Sequence, residues 1–429
     1  QEANSDPDAS TILFNISGSG VHTIQPDSGL PYITERVTIN GYSQPGASAN
    51  TAIAPNPLNG TLLVEVNGDD VADGSAFVFA GDSNGSSIKG MVLNGFISGG
   101  GILVLADDIV VQGNYIGTNA AGTSAKRNEV GINAYTQNPE SGHDTLIGGL
   151  NAEDRNLISG NTASSGGSAT ASYPGEGWVF KGNYLGIAAD GLTPITNSTN
   201  GGSGTLSIDG VADVVVGGSE PTAINVFGAS LGHGIAPHEA DNLLIEGNYI
   251  GLGYDGTTVL GNSVSGIGSG LGVAESENVL FKNNRIAGWA LGGISINADN
   301  SNVTTEGNTV FDNTGHGIDA KSPDVTVTGN TTFDNTGHGI TTSSSDINVT
   351  GNTTYDNGQE GIFVYLSTGV LVQDNIARNN VGAGIRVGAA SDITITANKA
   401  SSVRLTCELG TYDLAGKSAT DFPKPVELT

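Results

Sequence analysis

Alternating apolar and polar residues mark short β-strands along the chain. Residues 324–328 read DVTVT, residues 346–350 read DINVT and residues 392–396 read DITIT. Side chains of a strand point alternately to its two faces, so each segment predicts a strand with one buried face. A Gly-Asn pair follows the first two segments and predicts a turn, because glycine tolerates left-handed angles and asparagine bonds to neighbouring backbone groups.

These strands belong to a repeat of 22 residues. The phrase GNTVFDNTGHGI begins at Gly307, then returns as GNTTFDNTGHGI at Gly329 and as GNTTYDNGQEGI at Gly351. A fourth copy, DNIARNNVGAGI, begins at Asp374 after one inserted residue. Self-similarity at a fixed period above roughly 20 residues indicates a stacked repeat. The predicted fold is all-β: a single-domain parallel β-helix, which is a solenoid with about 22 residues per regular coil.

Stacking of the coils places equivalent residues in columns, with neighbours roughly 4.7 to 4.9 Å apart. One column predicts an internal ladder of buried side-chain amides, since buried amides must be hydrogen-bonded. Its members are Asn308, Asn330, Asn352, Asn375 and Asn398. Two further columns are not explained by folding alone and are therefore candidates for function. They consist of His316, His338 and Glu360, and of Asp312, Asp334 and Asp356.

The column of His316, His338 and Glu360 predicts one of two roles. These side chains could share a metal ion, or they could perform acid-base chemistry on a glycan that lies along the coils. The alternative is that these residues only pack at turns, with the second histidine a by-product of repeat duplication. Asp319 together with Glu360 is a further candidate pair, because two carboxylates roughly 5 to 9.5 Å apart serve glycoside hydrolysis.

The aspartate column predicts a cation site. Like charges at strand spacing raise one another's pKa unless a cation lies between them. The neighbouring Asn313, Asn335 and Asn357 add amide oxygens, and such an oxygen-rich set suits Ca²⁺. Asp312, Asp334 and Asp356 are the predicted metal ligands, and Ca²⁺ is the one cofactor that the sequence suggests.

Charge and composition limit the partners. The chain has 15 Lys and Arg against 43 Asp and Glu, a net charge of −28, which excludes the basic footprint that nucleic acids require. No stretch approaches the roughly 18 apolar residues of a membrane span. Polysaccharide or other copies of the chain, as an oligomer or filament, are the predicted partners. The single cysteine, Cys407, excludes an internal disulfide.

Changes in the repeat predict four regions. Residues 1–60 form an N-terminal cap and the first coils, and residues 61–290 form longer coils with loop insertions. Residues 291–400 form the regular 22-residue coils, and residues 401–429 form a last strand and a tail.

Loop insertions follow three copies of another phrase. GNYIG at 113–117 returns as GNYLG at 182–186 and as GNYIG at 247–251, and each copy precedes an excursion, at 119–127, 188–202 and 254–265. Loops that leave one edge of a solenoid gather on one face, which is often the binding face. The tyrosines of the phrase either stack on sugar rings or pack under the loops. The candidate substrate contacts are Tyr115, Tyr184, Tyr249, Tyr365 and Arg386.

The opening GSGVHTI, LPYITERVTINGYSQPG and the GNYIG and NLISGN phrases resemble those of bacterial secreted or surface proteins with parallel β-helix repeats. The wider superfamily of right-handed parallel β-helices includes pectate lyases, alginate lyases and mannuronan epimerases. The resemblance covers nearly the whole chain and implies a right-handed helix and an extracellular or cell-surface location. Asn-x-Ser/Thr sequons fit that location, among them those of Asn15, Asn59, Asn84, Asn197, Asn302 and Asn348.

One short segment resembles the epimerase phrase in which Asp-Pro-His precedes an acidic residue. Pro237, His238 and Glu239 match it, whereas Ala236 and His233 stand where the family has its catalytic aspartate and its tyrosine. The resemblance makes His238 and Glu239 candidate catalytic residues. Two functions therefore stay open: a structural or adhesive β-helix that binds glycans or self-assembles, and a polysaccharide lyase or glycoside hydrolase.

Overall fold

A computed structural model describes residues 2–5, 9–134, 142–163, 169–172, 175–199, 204–261, 269–406, 412–413 and 427–428. Cys407 and parts of the second and third predicted loops lie outside these residues. The chain forms two compact units. Unit 1 contains Gln1–Ala236 and Ile245–Leu260, and unit 2 contains Pro237–Leu244 and Gly261–Thr429.

Unit 1 is built from three parallel sheets to which the chain returns in turn. Its first sheet contains Ser10–Leu13, Val37–Asn40, Ser87–Lys89, Val110–Gln112, Leu146–Gly148, Val179–Lys181 and Val215–Gly217. Its second contains His22–Ile24, Val64–Asn67, Met91–Asn94, Tyr115–Ile116, Leu157–Ile158, Tyr184–Leu185, Val226–Phe227 and Tyr249–Ile250. Its third contains Ile33–Glu35, Phe77–Asp82, Gly100–Val104, Val130–Asn133, Ala169–Ser172 and Gly204–Asp209.

Smaller elements complete unit 1. Short 3₁₀ helices lie at Ala3–Ser5, Gly41–Ser43, Ala152–Asp154 and Pro221–Ala223. The strands Thr162–Ala163 and Ser198–Thr199 pair with each other. The chain passes between the two units through the strands His233–His238 and Asp241–Glu246.

Unit 2 repeats the three-sheet construction with shorter connections. Its first sheet contains Glu277–Lys282, Ser301–Glu306, Val325–Thr328, Asn348–Thr350, Leu371–Gln373, Ile393–Thr396 and Tyr412–Asp413. Its second contains Arg285–Ala287, Thr309–Phe311, Thr331–Phe333, Thr353–Tyr355, Ile376–Arg378 and Lys399–Ala400. Its third contains Ser269–Val273, Gly292–Ile296, His316–Ala320, Ile340–Thr342, Ile362–Tyr365, Ile385–Gly388, Val403–Thr406 and Glu427–Leu428.

The 22-residue repeat sets the strand register of unit 2. Thr304 lies opposite Thr326, and Thr309 lies opposite Thr331, each 22 positions further along the chain. Val325 and Val327 are completely buried, whereas the alternating Thr326 and Thr328 are half-buried. The predicted fold class, a parallel β-helix whose regular coils have 22 residues, is confirmed.

The first coil of unit 1 is itself part of the sheets. Ser10–Leu13 pairs with Val37–Asn40, and His22–Ile24 pairs with Val64–Asn67, each in parallel. Leu13 is 63% exposed and Tyr32 is 57% exposed, so this coil leaves apolar side chains in contact with solvent. Among the residues that the structure describes, no helix is both long and apolar enough to cross a membrane.

Asparagine ladders hold the turns of both units. In unit 2 the predicted column is confirmed: each amide Nδ2 of Asn308, Asn330, Asn352 and Asn375 donates to Oδ1 of the next asparagine at 2.9 to 3.1 Å. Each Oδ1 also accepts the backbone N–H of the preceding asparagine. Unit 1 has its own ladder of Asn114, Asn156, Asn183, Asn225 and Asn248.

Candidate functional site

The column of His316, His338 and Glu360 lies on the third sheet of unit 2, where each residue begins or closely precedes a strand. Nδ1 of His316 accepts the backbone N–H of His338 at 3.0 Å. Nδ1 of His338 accepts the backbone N–H of Glu360 at 3.2 Å. Each imidazole thus satisfies a backbone donor of the next coil, as the asparagine ladder does, which gives both histidines a part in holding the coils together.

The spacing of the two imidazoles bears on whether they can share an ion. Their rings stack with centroids 4.9 Å apart and an interplanar angle of 17°. Because both Nδ1 atoms face the backbone, the outward Nε2 atoms are separated by about the ring spacing, whereas two nitrogens on one Zn²⁺ lie at most about 4.2 Å apart. A metal ion shared by His316 and His338 would therefore need one of the rings to move, and it stays a prediction.

Two contacts compete for Nδ1 of His338. The atom lies 3.0 Å from Oε2 of Glu360 as well as 3.2 Å from the Glu360 amide nitrogen. It cannot accept the amide proton and donate to the carboxylate at once. Burial lowers the pKa of His338 to about 4, His316 and Arg386 act in the same direction, and Glu360 opposes them. We therefore assign the proton to Nε2, so that the imidazole is neutral at pH 7 and the amide bond is kept.

Burial acts on the imidazole of His316 in the same direction as on that of His338. Burial lowers its pKa, and the nearby Asp319 carboxylate partly offsets this effect. Asp319 itself pairs with Lys321, with 2.5 Å between Oδ2 and Nζ. In the sheet Asp319 lies opposite Thr341, and Thr341 lies opposite Phe363.

Glu360 instead forms an ion pair with Arg386. Nη1 of Arg386 donates to Oε1 of Glu360 at 3.1 Å, and both side chains are mostly buried, 36% and 12% exposed. The guanidinium carbon of Arg386 lies 5.1 Å from the centre of the Phe363 ring, within the range of a cation–π contact. Phe363 and Arg386 are cross-strand partners, which explains the contact.

An aromatic surface adjoins this ion pair. The ring of Phe363 lies 4.8 Å from the His338 ring and 5.4 Å from the ring of Tyr365, on which it stacks. Tyr365 is 42% exposed. We call the set of His338, Glu360, Phe363, Tyr365 and Arg386 the aromatic patch. Sequence reasoning named four of its members and missed Phe363, although the two-residue period places it on the same strand face as Tyr365.

The aspartate column lies at exposed turns. Asp312, Asp334 and Asp356 adopt left-handed backbone angles, with φ of 51°, 53° and 54°. Aspartate is among the few residues that tolerate this region, which gives the column a conformational role. The pKa of Asp334 is raised by partial burial and by its two neighbours in the column.

The asparagines beside these aspartates point inward. Nδ2 of Asn313 donates to Asn335, Asn335 donates to Asn357, and Asn357 donates to Asn380, at 2.8 to 2.9 Å. Asn313, Asn335 and Asn357 are buried, so their predicted role beside Ca²⁺ is wrong because their amides form a second ladder. Ca²⁺ on the three aspartates stays a prediction.

The tyrosines of the GNYIG phrases belong to the core of unit 1. Tyr115 and Tyr184 are buried in one apolar cluster, and Tyr249 packs against it. The hydroxyl of Tyr184 donates to the carbonyl of Pro55, and burial raises the pKa of both Tyr115 and Tyr184 to about 12. Because their ring faces are covered, the predicted stacking of Tyr115 and Tyr184 on sugars is wrong. These tyrosines instead pack under the loops, which was the alternative.

The loops above these tyrosines share one construction. Each is closed by an antiparallel bridge: Thr118 with Ala125, Ile187 with Pro194, and Leu252 with Val259. They press apolar side chains onto the tyrosine cluster of unit 1. The excursions therefore stabilise unit 1.

A second stacked column was missed by the sequence analysis. Phe311, Phe333 and Tyr355 stack with centroids 4.9 to 5.0 Å apart and interplanar angles of 1°. Arg285 and Arg378 cover its two ends, 5.4 and 4.7 Å from the terminal rings. The signal was present in the repeat as VFDN, TFDN and TYDN. Because the rings cover one another's faces, the column stabilises the coils and leaves few faces for a ligand.

His238 and Glu239 belong to none of these columns. They lie at the end of the strand His233–His238 and directly after it. Both are exposed, and Nε2 of His238 lies 3.8 Å from Oε1 of the exposed Glu275. No sequence pattern joins Glu275 to this pair, because Glu275 is more than 30 residues away and belongs to no repeated phrase.

The chain is similar to several solved structures and to one family model. No curated protein matches the chain. Among solved structures, the surface protein and adhesin PfbA of Streptococcus pneumoniae is 12% identical, with 86% of this chain and 90% of that chain covered and a TM-score of 0.42. A mutant of the periplasmic alginate epimerase AlgG is 14% identical, with 92% and 76% covered and a TM-score of 0.37. The A-module of the mannuronan C-5 epimerase AlgE4 of Azotobacter vinelandii is 16% identical, with 62% and 72% covered and a TM-score of 0.33.

With TM-scores below 0.5, these likenesses carry no argument about this chain. The sequence itself is more specific. A family model described as "Right handed beta helix region" matches residues 186–320 and 249–400, which together make up half of the 429 residues. Both matches include the regular coils of unit 2, in which the repeat is clearest. The chain therefore belongs to the right-handed β-helix family.

Proposed function

We propose that this protein is a secreted or cell-surface β-helix with an adhesive role, and that it binds polysaccharide on the aromatic patch of unit 2. The observation that carries the proposal is the exposed Tyr365 ring, which stacks on Phe363 beside the Glu360–Arg386 ion pair. Sugar rings present C–H faces that pack on aromatic rings, and their hydroxyls bond to planar charged groups. The patch offers both kinds of contact on one sheet face.

The charge of the patch indicates the kind of glycan. Arg386 is already paired with Glu360, so the patch has no uncompensated positive charge from this arginine. The chain as a whole has a net charge of −28, which disfavours an anionic polymer. A neutral polysaccharide is therefore the favoured partner. Because the patch lies on paired strands, little conformational freedom is lost on binding.

Replacement of Tyr365 by alanine should weaken binding of a neutral oligosaccharide at least 10-fold, since it removes the exposed ring and leaves the core intact. A panel of neutral and uronate oligosaccharides, titrated by isothermal calorimetry or by NMR line broadening, measures this. Tyr32→Ala is the matched control, because Tyr32 is 57% exposed in unit 1 and lies outside the patch. The control should bind like the wild type. Binding that Tyr365→Ala leaves unchanged, or tighter binding of uronates than of neutral sugars, would contradict the proposal.

One observation favours a second function, a glycoside hydrolase or polysaccharide lyase. In the close contact of His338 with Glu360, the neutral imidazole lies next to the carboxylate, and the two side chains are 11% and 12% exposed. If the patch is catalytic, the wild type releases reducing ends, or products absorbing at 232 nm, from a polysaccharide of the panel. Glu360→Gln should then abolish release while Tyr365→Ala only weakens substrate binding. Absence of release by the wild type, together with retained binding, supports the adhesive function and excludes the enzyme for that panel.

A further inference from the structure

Three ligating side chains converge at a turn of unit 2 that the proposed function does not use. One ligand atom each from His238, Glu239 and Glu275 lies within 4.8 Å of the other two. All three side chains are exposed. Among the residues that the structure describes, this is the only group of three or more histidine, cysteine or acidic residues that is so closely spaced.

The backbone beneath the group is fixed by two adjacent coils. His238 and Ala274 form a parallel bridge, in which the N–H of Glu239 donates to the carbonyl of Ala274 at 3.1 Å. The N–H of Ala274 donates to the carbonyl of Pro237 at 3.2 Å. The two glutamates therefore project from matching turns of successive coils, although they are far apart in sequence.

The turn is also anchored from inside. The N–H of Ala240 donates to the hydroxyl of Ser276 at 3.0 Å, and the N–H of Ser276 donates to Oδ1 of Asn300 at 2.8 Å. Ser276 and Asn300 are buried. These bonds fix the Cα positions of the residues on either side, so only side-chain rotation separates the observed arrangement from a coordinating one.

We infer that His238, Glu239 and Glu275 form a surface binding site for a divalent transition-metal ion of the Zn²⁺ class. One imidazole nitrogen and two carboxylates are a normal three-ligand set for such an ion, and water or another ligand completes the coordination. Ca²⁺ and Mg²⁺ prefer oxygen ligands alone, so the imidazole selects against them. The two carboxylates also supply the negative charge that a dication needs.

The distance between His238 and Glu275 fits this assignment. Nε2 of His238 and Oε1 of Glu275 are 3.8 Å apart, which is too long for a hydrogen bond. Ligands at about 2.0 to 2.2 Å from a tetrahedral Zn²⁺ are roughly 3.3 to 3.5 Å from one another. A shift of less than about 0.5 Å, within the reach of exposed side chains, brings the two atoms to that separation.

Calorimetric titration of the full chain with Zn²⁺ alone tests the site. We expect one site per chain, and we expect His238→Ala and Glu275→Gln each to weaken binding at least 10-fold. His143→Ala is the matched control, because Nδ1 of His143 lies 3.9 Å from Oε1 of Glu176 in a histidine–glutamate pair outside the group. Circular dichroism should show all three variants folded like the wild type.

A titration with Ca²⁺ is the second part of the test. The proposal predicts that Ca²⁺ at millimolar concentration does not compete with Zn²⁺ for this site. No saturable Zn²⁺ binding, Zn²⁺ binding that survives His238→Ala, or an equal loss in His143→Ala would each overturn the inference. The result is independent of glycan binding, since the group shares no residue with the aromatic patch.

Discussion

Replacement of Asn330 by alanine should lower the free energy of unfolding by about 4 kcal/mol, since it leaves two buried backbone groups without partners at about 1 to 3 kcal/mol each. Oδ1 of Asn330 accepts the N–H of Asn308 at 2.9 Å, and Nδ2 donates to the carbonyl of Thr305 at 2.8 Å. Asn330 is completely buried, so water cannot take over either bond. Urea unfolding followed by circular dichroism measures the loss.

An exposed asparagine of the same repeat is the matched control. Asn348 is exposed on the first sheet of unit 2, and Asn348→Ala should change the free energy of unfolding by no more than about 0.5 kcal/mol. A loss of less than about 1 kcal/mol in Asn330→Ala would mean that the ladder adds little to stability.

Asn330→Asp separates hydrogen bonding from side-chain volume. A buried carboxylate cannot donate to the Thr305 carbonyl, so the folded state of this variant favours the protonated acid and the pKa of the new aspartate is raised. A raised folded-state pKa means that the variant gains stability as the pH falls from 7 towards the unfolded value of about 3.9. Its deficit relative to the wild type should therefore narrow between pH 7 and pH 4. A deficit that is constant over this range would contradict the ladder geometry.

The repeat made the fold predictable but did not show which side of a turn each residue faces. Asp334 and Asn335 are adjacent in the same corner, yet one is exposed at a left-handed turn and the other is buried in a ladder. Both are short polar residues typical of turns, and the period of 22 gives each of them a column. Only the path of the backbone decides that the asparagine points inward, and for this reason the predicted Ca²⁺ surroundings of Asn335 were wrong.

The tyrosines show a second limit of periodicity. Tyr184 and Tyr365 both lie on strands, but in the structure Tyr184 is covered by the loop at Ile187–Pro194 and Tyr365 is not covered by any described loop. Sequence predicts where a loop leaves the coils, but whether it folds back depends on apolar contacts that are distant in sequence. Pro55, which accepts the Tyr184 hydroxyl, is more than 100 residues away.

The histidine column illustrates why chemistry was harder to predict than architecture. Two stacked histidines beside a glutamate suggest catalysis from composition alone. In the structure their Nδ1 atoms accept backbone amides, which leaves one nitrogen of each ring for any other role. The same residues therefore help to hold the coils together and border the aromatic patch. Which ring nitrogen is left for a ligand depends on the imidazole tautomer, and no sequence pattern encodes the tautomer.

Replacement of Gly339 by alanine should destabilise the protein by about 3 kcal/mol, the upper range for overpacking of a rigid interior. A Cβ atom at this position would lie 2.6 Å from the carbonyl oxygen of Gly361 and 2.6 Å from the hydroxyl of Thr332. It would also lie 2.9 Å from Nδ2 of Asn357, a member of the second ladder. The clash with backbone cannot be relieved by a rotamer change, so the coils must separate locally and weaken the ladder.

The glycines that follow His316, His338 and Glu360 are therefore required at this corner of each coil. This requirement explains why HGI, HGI and EGI keep their middle residue while the first residue changes. Gly29→Ala is the control, because a Cβ atom there would meet only the Asp73 carbonyl at 3.5 Å, an ordinary contact. That variant should be neutral or stabilised by up to about 1 kcal/mol. If urea unfolding shows Gly339→Ala to be as stable as Gly29→Ala, the corner is able to open without cost, and the rigidity on which the aromatic patch depends would have to come from the strands alone.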